Sequence, residues 1–540
     1  MIDAKKSTSN TAYIMFWSIL IMGVLIRCIR FGQTPCGVNQ DEAMAAVDAC
    51  ALSAYGTDRF GMFLPVHFTA WRVSQMSVLL SYCMIPFLKL FGLQSAAVRL
   101  PMLIASCGGL VFIYLAGKKV FSQRMGLIFM ALCAINPWHF MQSRWSLDCN
   151  LFPHVFLLAF LLLLEGLEKY KYLYLSMVFF GLTFYCYGVA VYSVIPFLIV
   201  FAAWCLWQKQ LKFRQVLLCI GIFSVIALPE IIVMAINLFG WDTIETPFFT
   251  MARFPETIRA NDILFMNFSF GQLFRNIRSM VYQVFLQFPD LIFNALPEFG
   301  PLYHISIPFV GIGIGALIRE FMRERDKKVR TKYMAVWGFW LTGIWVGIIT
   351  FEVNINRINI IFYPMIMLCG YGIAWAIRHV KWRGFPVSLG ALYGICAALF
   401  LVRYFTFFQE ESKIYYNDDF IKAVAKADSM EEYERLYITG NMGWQFNSFM
   451  AEILTQYGCG IDALYYQEKT NVTNGRELLP YSKRYHFGDK KDLEQHNLMS
   501  EEGTALFLIH ETELPEMECS YEIVETQGQY LLMVPSREKP

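Results

Sequence analysis

Long apolar runs alternate with short polar segments over the first three quarters of the chain. A helix of about 20 apolar residues is long enough to cross the hydrocarbon core of a membrane. Runs of that length, or close to it, lie near residues 12–28, 77–91, 100–117, 125–137, 151–167, 172–187, 189–207, 216–239, 301–318, 333–351, 358–377 and 385–403. This pattern predicts an all-α polytopic membrane domain with about 11–13 transmembrane helices.

The character of the chain changes after Phe408, where charged residues become frequent and apolar runs become short. Short apolar runs at residues 436–438 and 505–509 are typical of strands, and residues 418–433 have the period of an amphipathic helix. We therefore predict two domains. Residues 1–405 form the membrane domain, and residues 406–540 form a small soluble α/β domain.

Composition supports this division and excludes some partners. The chain of 540 residues is 56% hydrophobic and only 16% charged, whereas soluble domains carry about 25% charged residues. The net charge is +2 and no Lys/Arg-rich arm is present, so no nucleic-acid partner is expected. Cys459 and Cys519 are the only cysteines in the polar C-terminal region, where they could pair if it lies outside the cytoplasm.

Clusters of Lys and Arg set the expected orientation, because basic loops stay on the cytoplasmic side. These clusters lie at residues 169–171, 209–214, 319–332 and 378–383. They place the N-terminus in the cytoplasm. The segments expected to face outward are 138–150, 240–300, 352–357 and everything after 404.

The number of membrane crossings between Asp41 and Lys118 is inconsistent with this orientation. Asp41 should face outward and the basic residues Lys118, Lys119 and Arg124 inward, yet two apolar stretches lie between them. Two crossings return the chain to the same side. Either one stretch does not cross fully, or the 118–124 loop faces outward and the 125–137 segment is re-entrant.

An adjacent acid pair, Asp41-Glu42, follows the first apolar run. Ionisable residues near hydrocarbon are costly and usually serve a site. Such a pair can hold a divalent cation, or one member can act as a general base. The alternative is a solvated helix start, in which Asn39 or Asp41 caps a helix that runs towards Leu52.

The second outward loop, residues 136–148, adds His139, Arg144 and Asp148. Its Trp138 and Trp145 fit an interfacial aromatic belt, but a belt gives no reason for an aspartate. The loop therefore supplies another candidate acid and a candidate cation to the outer face.

The third outward loop ends in Asn356-Arg357. An outward Arg runs against the positive-inside bias, and its guanidinium matches the oxygens of a phosphate. The alternative is an Arg that snorkels to the headgroups. Tyr303 and His304 follow a Pro/Gly turn at the water interface, where they contact substrate or simply begin a helix.

Taken in order, these motifs resemble bacterial family 39 glycosyltransferases, which are relatives of protein O-mannosyltransferases and aminoarabinose transferases in the GT-C superfamily. The resemblance covers roughly residues 12–405. It is carried by Asp41-Glu42, Gly56-Thr57-Asp58-Arg59-Phe60-Gly61, Phe91-Gly92-Leu93, Val98-Arg99-Leu100-Pro101, Asn136-Pro137-Trp138-His139, Ser143-Arg144, Asp148, Leu296-Pro297, Gly300-Pro301-Leu302-Tyr303, Asn356-Arg357 and Pro364.

The resemblance implies many transmembrane helices with catalytic loops on the outer face, and a polyprenyl-phosphate-linked sugar donor. It makes Asp41 the catalytic base or a metal-site residue, with Glu42 beside it. Glu42 and Asp148 are expected to support this base or the divalent ion, and Asp148 takes the place where many relatives carry Glu. Arg357 is the match for the arginine that contacts the donor phosphate, and Arg144 is a second candidate.

Further expectations complete this hypothesis. Asp41 and Asp148 are candidate ligands for a divalent cation such as Mg²⁺ or Mn²⁺, and no other cofactor is implied. The candidate substrate contacts are Tyr303, His304, Asn356 and His139.

The expected function is that of an integral membrane glycosyltransferase, with a protein, lipid or glycan acceptor at the outer face of the cell membrane. A transporter or lipid flippase is the alternative. Such proteins often have internal repeats and binding sites near the midplane. No repeat is visible here, and the notable charges cluster at one interface. A non-catalytic polysaccharide-assembly subunit is a second alternative.

Overall fold

The computed structural model describes residues 2–255, 263–499 and 504–536. Contacts divide the chain into two compact units. Unit 1 comprises residues 1–31, 101–240 and 257–404, and unit 2 comprises residues 32–100, 241–256 and 405–540. Unit 2 thus combines the C-terminal region with two segments from the N-terminal part of the chain.

Helices make up most of the described chain. In chain order they are α1 (Ile2–Cys28), α2 (Gln40–Tyr55), α3 (Leu79–Phe91), α4 (Ser95–Val120), α5 (Gln123–Ile135), α6 (Pro137–Gln142), α7 (Asp148–Gly166), α8 (Tyr170–Leu182), α9 (Ala190–Trp207), α10 (Phe213–Phe239), α11 (Phe270–Met280), α12 (Ile307–Arg323), α13 (Lys327–Ile349), α14 (Ile355–Ile358), α15 (Phe362–His379), α16 (Phe385–Phe405), α17 (Phe407–Tyr415), α18 (Asp418–Ser429), α19 (Ser448–Gly458), α20 (Ala463–Tyr466), α21 (Tyr481–Arg484) and α22 (Lys490–Met499).

The strands are shorter and most belong to the C-terminal region. They are β1 (His67–Ala70), β2 (Ser74–Ser77), β3 (Ile244–Glu245), β4 (Thr250–Met251), β5 (Arg435–Thr439), β6 (Val472–Thr473), β7 (Arg476–Glu477), β8 (Tyr485–Gly488), β9 (Ala505–His510), β10 (Tyr521–Gln527) and β11 (Tyr530–Pro535).

Within the described residues, nine helical segments are long and apolar enough to cross a membrane. They are Asn10–Cys28, Ser95–Val120, Asp148–Gly166, Ala190–Trp207, Phe213–Phe239, His304–Arg323, Lys327–Ile349, Ile355–His379 and Phe385–Phe405. Large apolar side chains on these helices are exposed, among them Trp207, Val225 and Val387 at 69%, 70% and 76%. Hydrocarbon accommodates such surfaces, whereas water disfavours them. The predicted fold class, a helical membrane domain with a small C-terminal sheet region, is confirmed.

Glycines let two helices of unit 1 pack very closely. A Cβ built at Gly313 of α12 collides with the carbonyl oxygen of Leu368 on α15, and one at Gly372 of α15 collides with the carbonyl oxygen of Phe309. Small residues at such crossings allow backbones to approach, which is how membrane helices gain van der Waals contact without a hydrophobic driving force.

The short helix α5 runs along the same part of unit 1 as α1. Near its start, Gly126 lies against the last turns of α4, with Lys118 N 3.1 Å from the position of a Cβ. At its end, the carbonyl oxygens of Ala134 and Ile135 accept hydrogen bonds from Arg27 at 3.0 Å and from Tyr303 at 2.7 Å. Thus α5 connects the end of α4 with the end of α1, although its 13 residues extend only about 20 Å.

A chain of buried polar side chains connects four helices in unit 1. Arg27 Nη2 lies 2.7 Å from His139 Nδ1, and His139 Nε2 lies 3.0 Å from the Tyr363 hydroxyl. The same hydroxyl lies 2.6 Å from His154 Nδ1. All four side chains are almost completely buried. We call Arg27, His139, Tyr363 and His154 the buried relay.

The guanidinium fixes the direction of the first two hydrogen bonds in the buried relay. Arg27 can only donate, so His139 Nδ1 accepts and His139 Nε2–H donates to Tyr363. The direction of the last bond, between the Tyr363 hydroxyl and His154 Nδ1, depends on the tautomer of His154. Burial lowers the pKa of His139 well below its usual value, and the nearby charges of Arg27 and His154 act in the same direction. The relay therefore carries a neutral imidazole beside its cation.

Unit 2 contains a five-stranded sheet in the order β10-β11-β9-β5-β8. Strand β5 pairs in parallel with β8 and β9, and the other pairs are antiparallel. One core cluster includes Tyr437, Phe507, Ile509 and Met533. The predicted strands at residues 436–438 and 505–509 form as β5 and β9, and the predicted helix over 418–433 forms as α18 and ends at Ser429.

The suggested pairing of Cys459 with Cys519 is wrong, because both are free cysteines. Cys459 lies against α18, where its Sγ is 3.7 Å from the carbonyl oxygen of Val424. Cys519 is exposed. Their shared polar neighbourhood in the sequence therefore gave no information about proximity.

We expect Gly109→Ala to destabilise the protein, because the new methyl group would enter the buried relay. A Cβ at Gly109 of α4 lies 3.0 Å from His154 Nδ1 and 3.2 Å from His139 Nε2, and closer still to the Tyr363 hydroxyl. Overpacking of this kind costs about 1–3 kcal/mol. The apparent Tm of the detergent-solubilised protein measures the effect.

Gly221→Ala in α10 is the matched control, because nothing lies within 4 Å of its built Cβ. Alanine there gains about 0.5–1 kcal/mol of helix propensity, so the two variants should shift Tm in opposite directions. A Gly109→Ala protein as stable as the control would contradict the assigned packing.

Candidate functional site

Loops from several helices meet at one end of unit 1. Asn359 Nδ2, just before α15, donates to the carbonyl oxygen of Cys149 at the start of α7, at 2.6 Å. Trp138 N–H of α6 donates to the carbonyl oxygen of Pro301 at 3.0 Å. Helix α14 also packs against α7. This end carries all the candidate site residues of unit 1, namely His139, Arg144, Asp148, Tyr303, His304, Asn356 and Arg357.

Arg357 lies on the short helix α14 at this end. Asn354 caps the helix by accepting from Arg357 N–H at 2.9 Å. The guanidinium donates to the carbonyl oxygen of Phe351 and lies 3.8 Å from a carboxylate oxygen of Glu352. The Arg357 side chain is 21% exposed, so it is held in position while part of it remains accessible.

Asn356, next to Arg357, presents an oxygen with no hydrogen-bond partner in the described part of the chain. Its Oδ1 is buried, and an unsatisfied buried polar atom is costly unless a ligand or water completes it. The pair Asn356-Arg357 therefore combines a fixed cation with an unused acceptor, which is the arrangement expected of a contact for a phosphate and its attached sugar.

Asp148 is the first residue of α7 and is 6% exposed. One of its carboxylate oxygens accepts from Cys149 N–H at 2.7 Å. An acid in the first turn is stabilised by the partial positive charge of the helix N-terminus. Asp148 thus stabilises the start of α7.

Arg144 is completely buried and is bonded to the end of α1. It donates to the carbonyl oxygens of Arg27 at 2.6 Å and Arg30 at 2.9 Å. Its guanidinium also stacks over the rings of Phe140 and Tyr404, about 5.5 Å from each centroid. These contacts secure α6 to α1, and they make Arg144 a weaker candidate than Arg357 for an incoming phosphate.

The remaining predicted contacts in unit 1 differ in accessibility. His304 is exposed, whereas Tyr303 is 3% exposed and donates its hydroxyl proton to Ile135. Tyr303 also adopts a positive φ of 63°, a conformation that is uncommon outside glycine. His139 is fully buried with both ring nitrogens engaged in the buried relay, so its ring is not available to a substrate.

In unit 2, the start of α2 forms a capping box. Asn39 Oδ1 accepts from Asp41 N–H at 3.1 Å, and Glu42 Oε2 accepts from Asn39 N–H at 3.1 Å. The helix-start alternative is therefore correct for Asn39, which is the N-cap. Asp41 remains partly exposed on the first turn, next to the buried Glu42.

Glu42 forms a completely buried ion pair with Arg99. Arg99 Nε and Nη2 each lie 2.9 Å from a different carboxylate oxygen, and both side chains are 0% exposed. The same guanidinium donates to the carbonyl oxygens of Pro35 at 2.8 Å and Gly37 at 2.9 Å. Glu42 therefore positions the loop, and both of its oxygens are occupied by these bonds.

A second buried pair, Asp48 and Arg59, lies farther along α2 in unit 2. Burial raises the pKa of Asp48, Arg59 opposes this shift, and the like charge of Asp58 adds to it. Two acids of α2, Glu42 and Asp48, are thus each paired with a buried arginine in unit 2.

A divalent cation at Asp41 and Asp148 stays a prediction. Across residues 2–255, 263–499 and 504–536, no group of three His, Cys, Asp or Glu residues could hold an ion. No step of the proposed chemistry passes through a cation.

Sequence reasoning missed several residues that organise these regions. Arg99 was visible within the quoted Val98-Arg99-Leu100-Pro101 motif, but nothing in that motif indicates its partner, which lies 57 positions away. In the sequence, Arg27 is only a charge at the end of an apolar run, and Gly109 is only half of a Gly-Gly pair. Neither feature indicates the buried relay until the contacts of these residues are known.

Comparison with known proteins agrees with this architecture. Residues 76–233 match the sequence family described as dolichyl-phosphate-mannose-protein mannosyltransferase. Among curated proteins, no sequence match is found.

Solved structures extend the likeness to the whole chain. ArnT from Cupriavidus metallidurans bound to undecaprenyl phosphate aligns with a TM-score of 0.58 at 11% identity, covering 97% of this chain and 98% of ArnT. The apo state of the same protein aligns with a TM-score of 0.55 at 11% identity, covering 98% of both chains. The resemblance that the sequence indicated is therefore confirmed at the level of fold: this chain has the fold of the GT-C superfamily of membrane glycosyltransferases.

Proposed function

We propose that the protein is an integral membrane glycosyltransferase that moves a sugar from a polyprenyl-phosphate-linked donor to an acceptor at the outer face of the membrane. The GT-C fold, the family match over residues 76–233 and the undecaprenyl phosphate bound to ArnT support this proposal. A lipid-linked donor also fits a protein with at least nine candidate spans among its described residues.

The observation that carries the proposal is the contrast between two adjacent acids. Glu42 is fully buried and bonded to Arg99 and Asn39, whereas Asp41 remains partly exposed on a backbone that these bonds hold rigid. Catalytic groups work best when neighbouring contacts fix their position. Asp41 is thus the acid in this pair that can reach a substrate.

The proposed reaction is an inverting transfer. An acceptor oxygen attacks the anomeric carbon as the bond from that carbon to the donor phosphate breaks. Asp41 takes the proton from the acceptor, and the bonding electron pair leaves with the phosphate oxygen. Arg357 stabilises the phosphate negative charge, for which a planar guanidinium is well suited. The products are the glycosylated acceptor and the polyprenyl phosphate.

The proposed orientation follows from the short helices. With α5 and α8 counted as crossings, unit 1 has eleven, so the two ends of the chain lie on opposite sides of the membrane. The Lys/Arg clusters then favour an N-terminus inside and residues after 404 outside. Helix α3 belongs to unit 2 and its 13 residues extend about 20 Å, less than the roughly 30 Å of hydrocarbon. We therefore adopt the solution in which one apolar stretch, that of α3, does not cross the membrane.

The loop between α7 and α8 tests this orientation, because it changes sides if α5 and α8 do not cross. Lys169 in that loop is exposed. We expect Lys169→Cys to resist a membrane-impermeant maleimide in intact cells and to react after permeabilisation. Glu298→Cys should react in both cases and Lys212→Cys only after permeabilisation.

The exposed native cysteines Cys28, Cys83 and Cys519 are replaced by serine in all these proteins. Labelling of position 169 in intact cells would overturn the eleven-crossing arrangement.

We expect Asp41→Asn to abolish sugar transfer while the protein still folds. Asparagine keeps the shape but cannot accept the proton, and loss of a general base slows a reaction by about 10²–10⁴-fold. Mass spectrometry of envelope glycans shows the effect in a gene-deletion strain complemented with each variant. Asp242→Asn is the control, because that side chain is fully exposed in unit 2. Restoration of the glycan by Asp41→Asn would exclude Asp41 as the base.

Glu42→Gln should reduce the amount of folded protein and leave transfer per folded molecule nearly intact. The substitution leaves the buried Arg99 without a counter-charge, and breaking a buried pair costs about 3–5 kcal/mol. Apparent Tm in detergent, together with the glycan assay normalised to folded protein, separates the two effects. The double variant Glu42→Gln/Arg99→Gln should be more stable than the sum of the single changes predicts. Full stability combined with lost transfer would instead make Glu42 catalytic.

A further inference from the structure

Unit 2 contains a cleft whose walls are unusually aromatic for a soluble surface. Four rings line it, those of Phe60, Trp71, Phe449 and Tyr466. It is shallow and open to solvent at its mouth. We call this the aromatic cleft. Phe449 is half-exposed and Trp71 partly exposed, so a ligand packs against these rings at the rim and not inside an enclosed cavity.

The hairpin β1–β2 presents Trp71 and Arg72 to the aromatic cleft at a cost in backbone energy. Both residues have positive φ, 52° and 59°, and Val73 N–H closes the turn on the carbonyl oxygen of Ala70 at 3.1 Å. Tight hairpin turns with two positive φ values strongly prefer Asn and Gly. Strain at bulky residues is retained where surrounding structure over-determines it, often at binding sites.

Polar groups in the aromatic cleft are fixed in place as well. Arg72 forms a two-pronged ion pair with Glu452, with Nε 2.9 Å from one carboxylate oxygen. Gln456 is only 2% exposed, and its Oε1 has no hydrogen-bond partner among the residues that the structure describes. An amide oxygen buried in this way is an acceptor that awaits a donor from a ligand.

These features match the chemistry of a sugar ring. A pyranose presents a face of C–H groups, which packs on aromatic rings, and an edge of hydroxyls, which bridge paired polar atoms. The cleft supplies both, the rings of Trp71 and Tyr466 for the face, and Arg72, Glu452 and Gln456 for the edge. An extended peptide would need a row of backbone hydrogen-bonding groups instead.

We propose that the aromatic cleft binds one sugar ring of a glycan acceptor. Met44 of α2 lines the cleft and lies three residues, or about one helical turn, beyond Asp41 on the same side of that helix. The cleft and the proposed base thus share helix α2, on adjacent turns. The acceptor role rests on the proposed function, whereas sugar binding by the cleft does not depend on it.

The test uses the full-length protein in a detergent without a sugar headgroup, because maltoside detergents would compete for the cleft. The probes are neutral oligosaccharides of glucose, mannose, galactose and N-acetylglucosamine, together with an unglycosylated Ser/Thr-containing peptide. Saturation-transfer NMR and calorimetry measure binding. We expect at least one oligosaccharide to bind and the peptide not to bind.

Trp71→Gly is the informative variant, because it removes the ring while glycine tolerates the positive φ. We expect binding to weaken about tenfold or more, with apparent Tm unchanged or raised. Phe449→Ala, which truncates a half-exposed ring of the cleft, should also weaken binding. Trp241→Ala is the matched control, since this tryptophan is 53% exposed in unit 2 and is not among the residues that line the cleft.

The outcomes separate this inference from the proposed function. Asp41→Asn should bind the oligosaccharide as the wild type does, even though it transfers no sugar. Normal sugar binding by Trp71→Gly overturns the inference, as does binding of the peptide alone or of no probe. Sugar binding that depends on Trp71 supports the inference even if deletion of the gene leaves envelope glycans unchanged, a result that would refute the proposed function alone.

Discussion

The buried ion pair between Glu42 and Arg99 is the interaction on which the acidic loop of unit 2 depends. Each charge loses its water, at a cost of several kcal/mol per ion. Attraction between them offsets that cost only when all remaining donors are satisfied. Arg99 meets this condition, because its guanidinium also donates to the carbonyl oxygens of Pro35 and Gly37. The pair thus selects one conformation for residues 35–42, the segment that carries Asp41.

Two acids that are neighbours in the sequence thereby acquire different roles. Glu42 points into the protein, where two bonds from Arg99 and one from Asn39 occupy it. Asp41 lies one position earlier on the helix, about 100° around its axis, and stays partly exposed. The environment of each side chain, and not its chemical type, decides which acid can meet a substrate. The aromatic cleft begins one turn farther along the same helix.

Much of the architecture was predictable, because long apolar runs can do little else but cross a membrane. The predicted runs 12–28 and 385–403 end within two residues of α1 and α16, and the C-terminal strands form where period and composition placed them. The apolar runs of two short helices, 77–91 and 125–137, were predictable, but whether those helices cross the membrane was not. Helices α3 and α5 each have 13 apolar-rich residues, yet α3 belongs to unit 2 and α5 extends along α1 in unit 1. Tertiary contacts decide between these outcomes.

The candidate site divides in a similar way. The sequence alone singles out Arg357 and Asp41, because each is a charge where charge is unexpected, and their roles stay predictions. The environments of Glu42 and His139 were not identifiable, since they depend on partners far away in the sequence. His139 meets Arg27 across 112 positions and Tyr363 across 224. A histidine in an outward loop looks like a ligand contact until those partners are known.

Arg27 shows why a cation can be retained at the end of the first span. Its side chain donates to the carbonyl oxygens of Gly23, Cys133 and Ala134 and to His139, while its own carbonyl oxygen accepts from Arg144. Arg27 thus holds His139 within helix α6 and Arg144 just beyond its end, so the loop that continues to Asp148 begins from a fixed point. A lysine at position 27 would bring a single nitrogen on a flexible stem to four acceptors that lie in different directions. The rigid fork of the guanidinium reaches all four at once, so geometry as well as charge requires an arginine here.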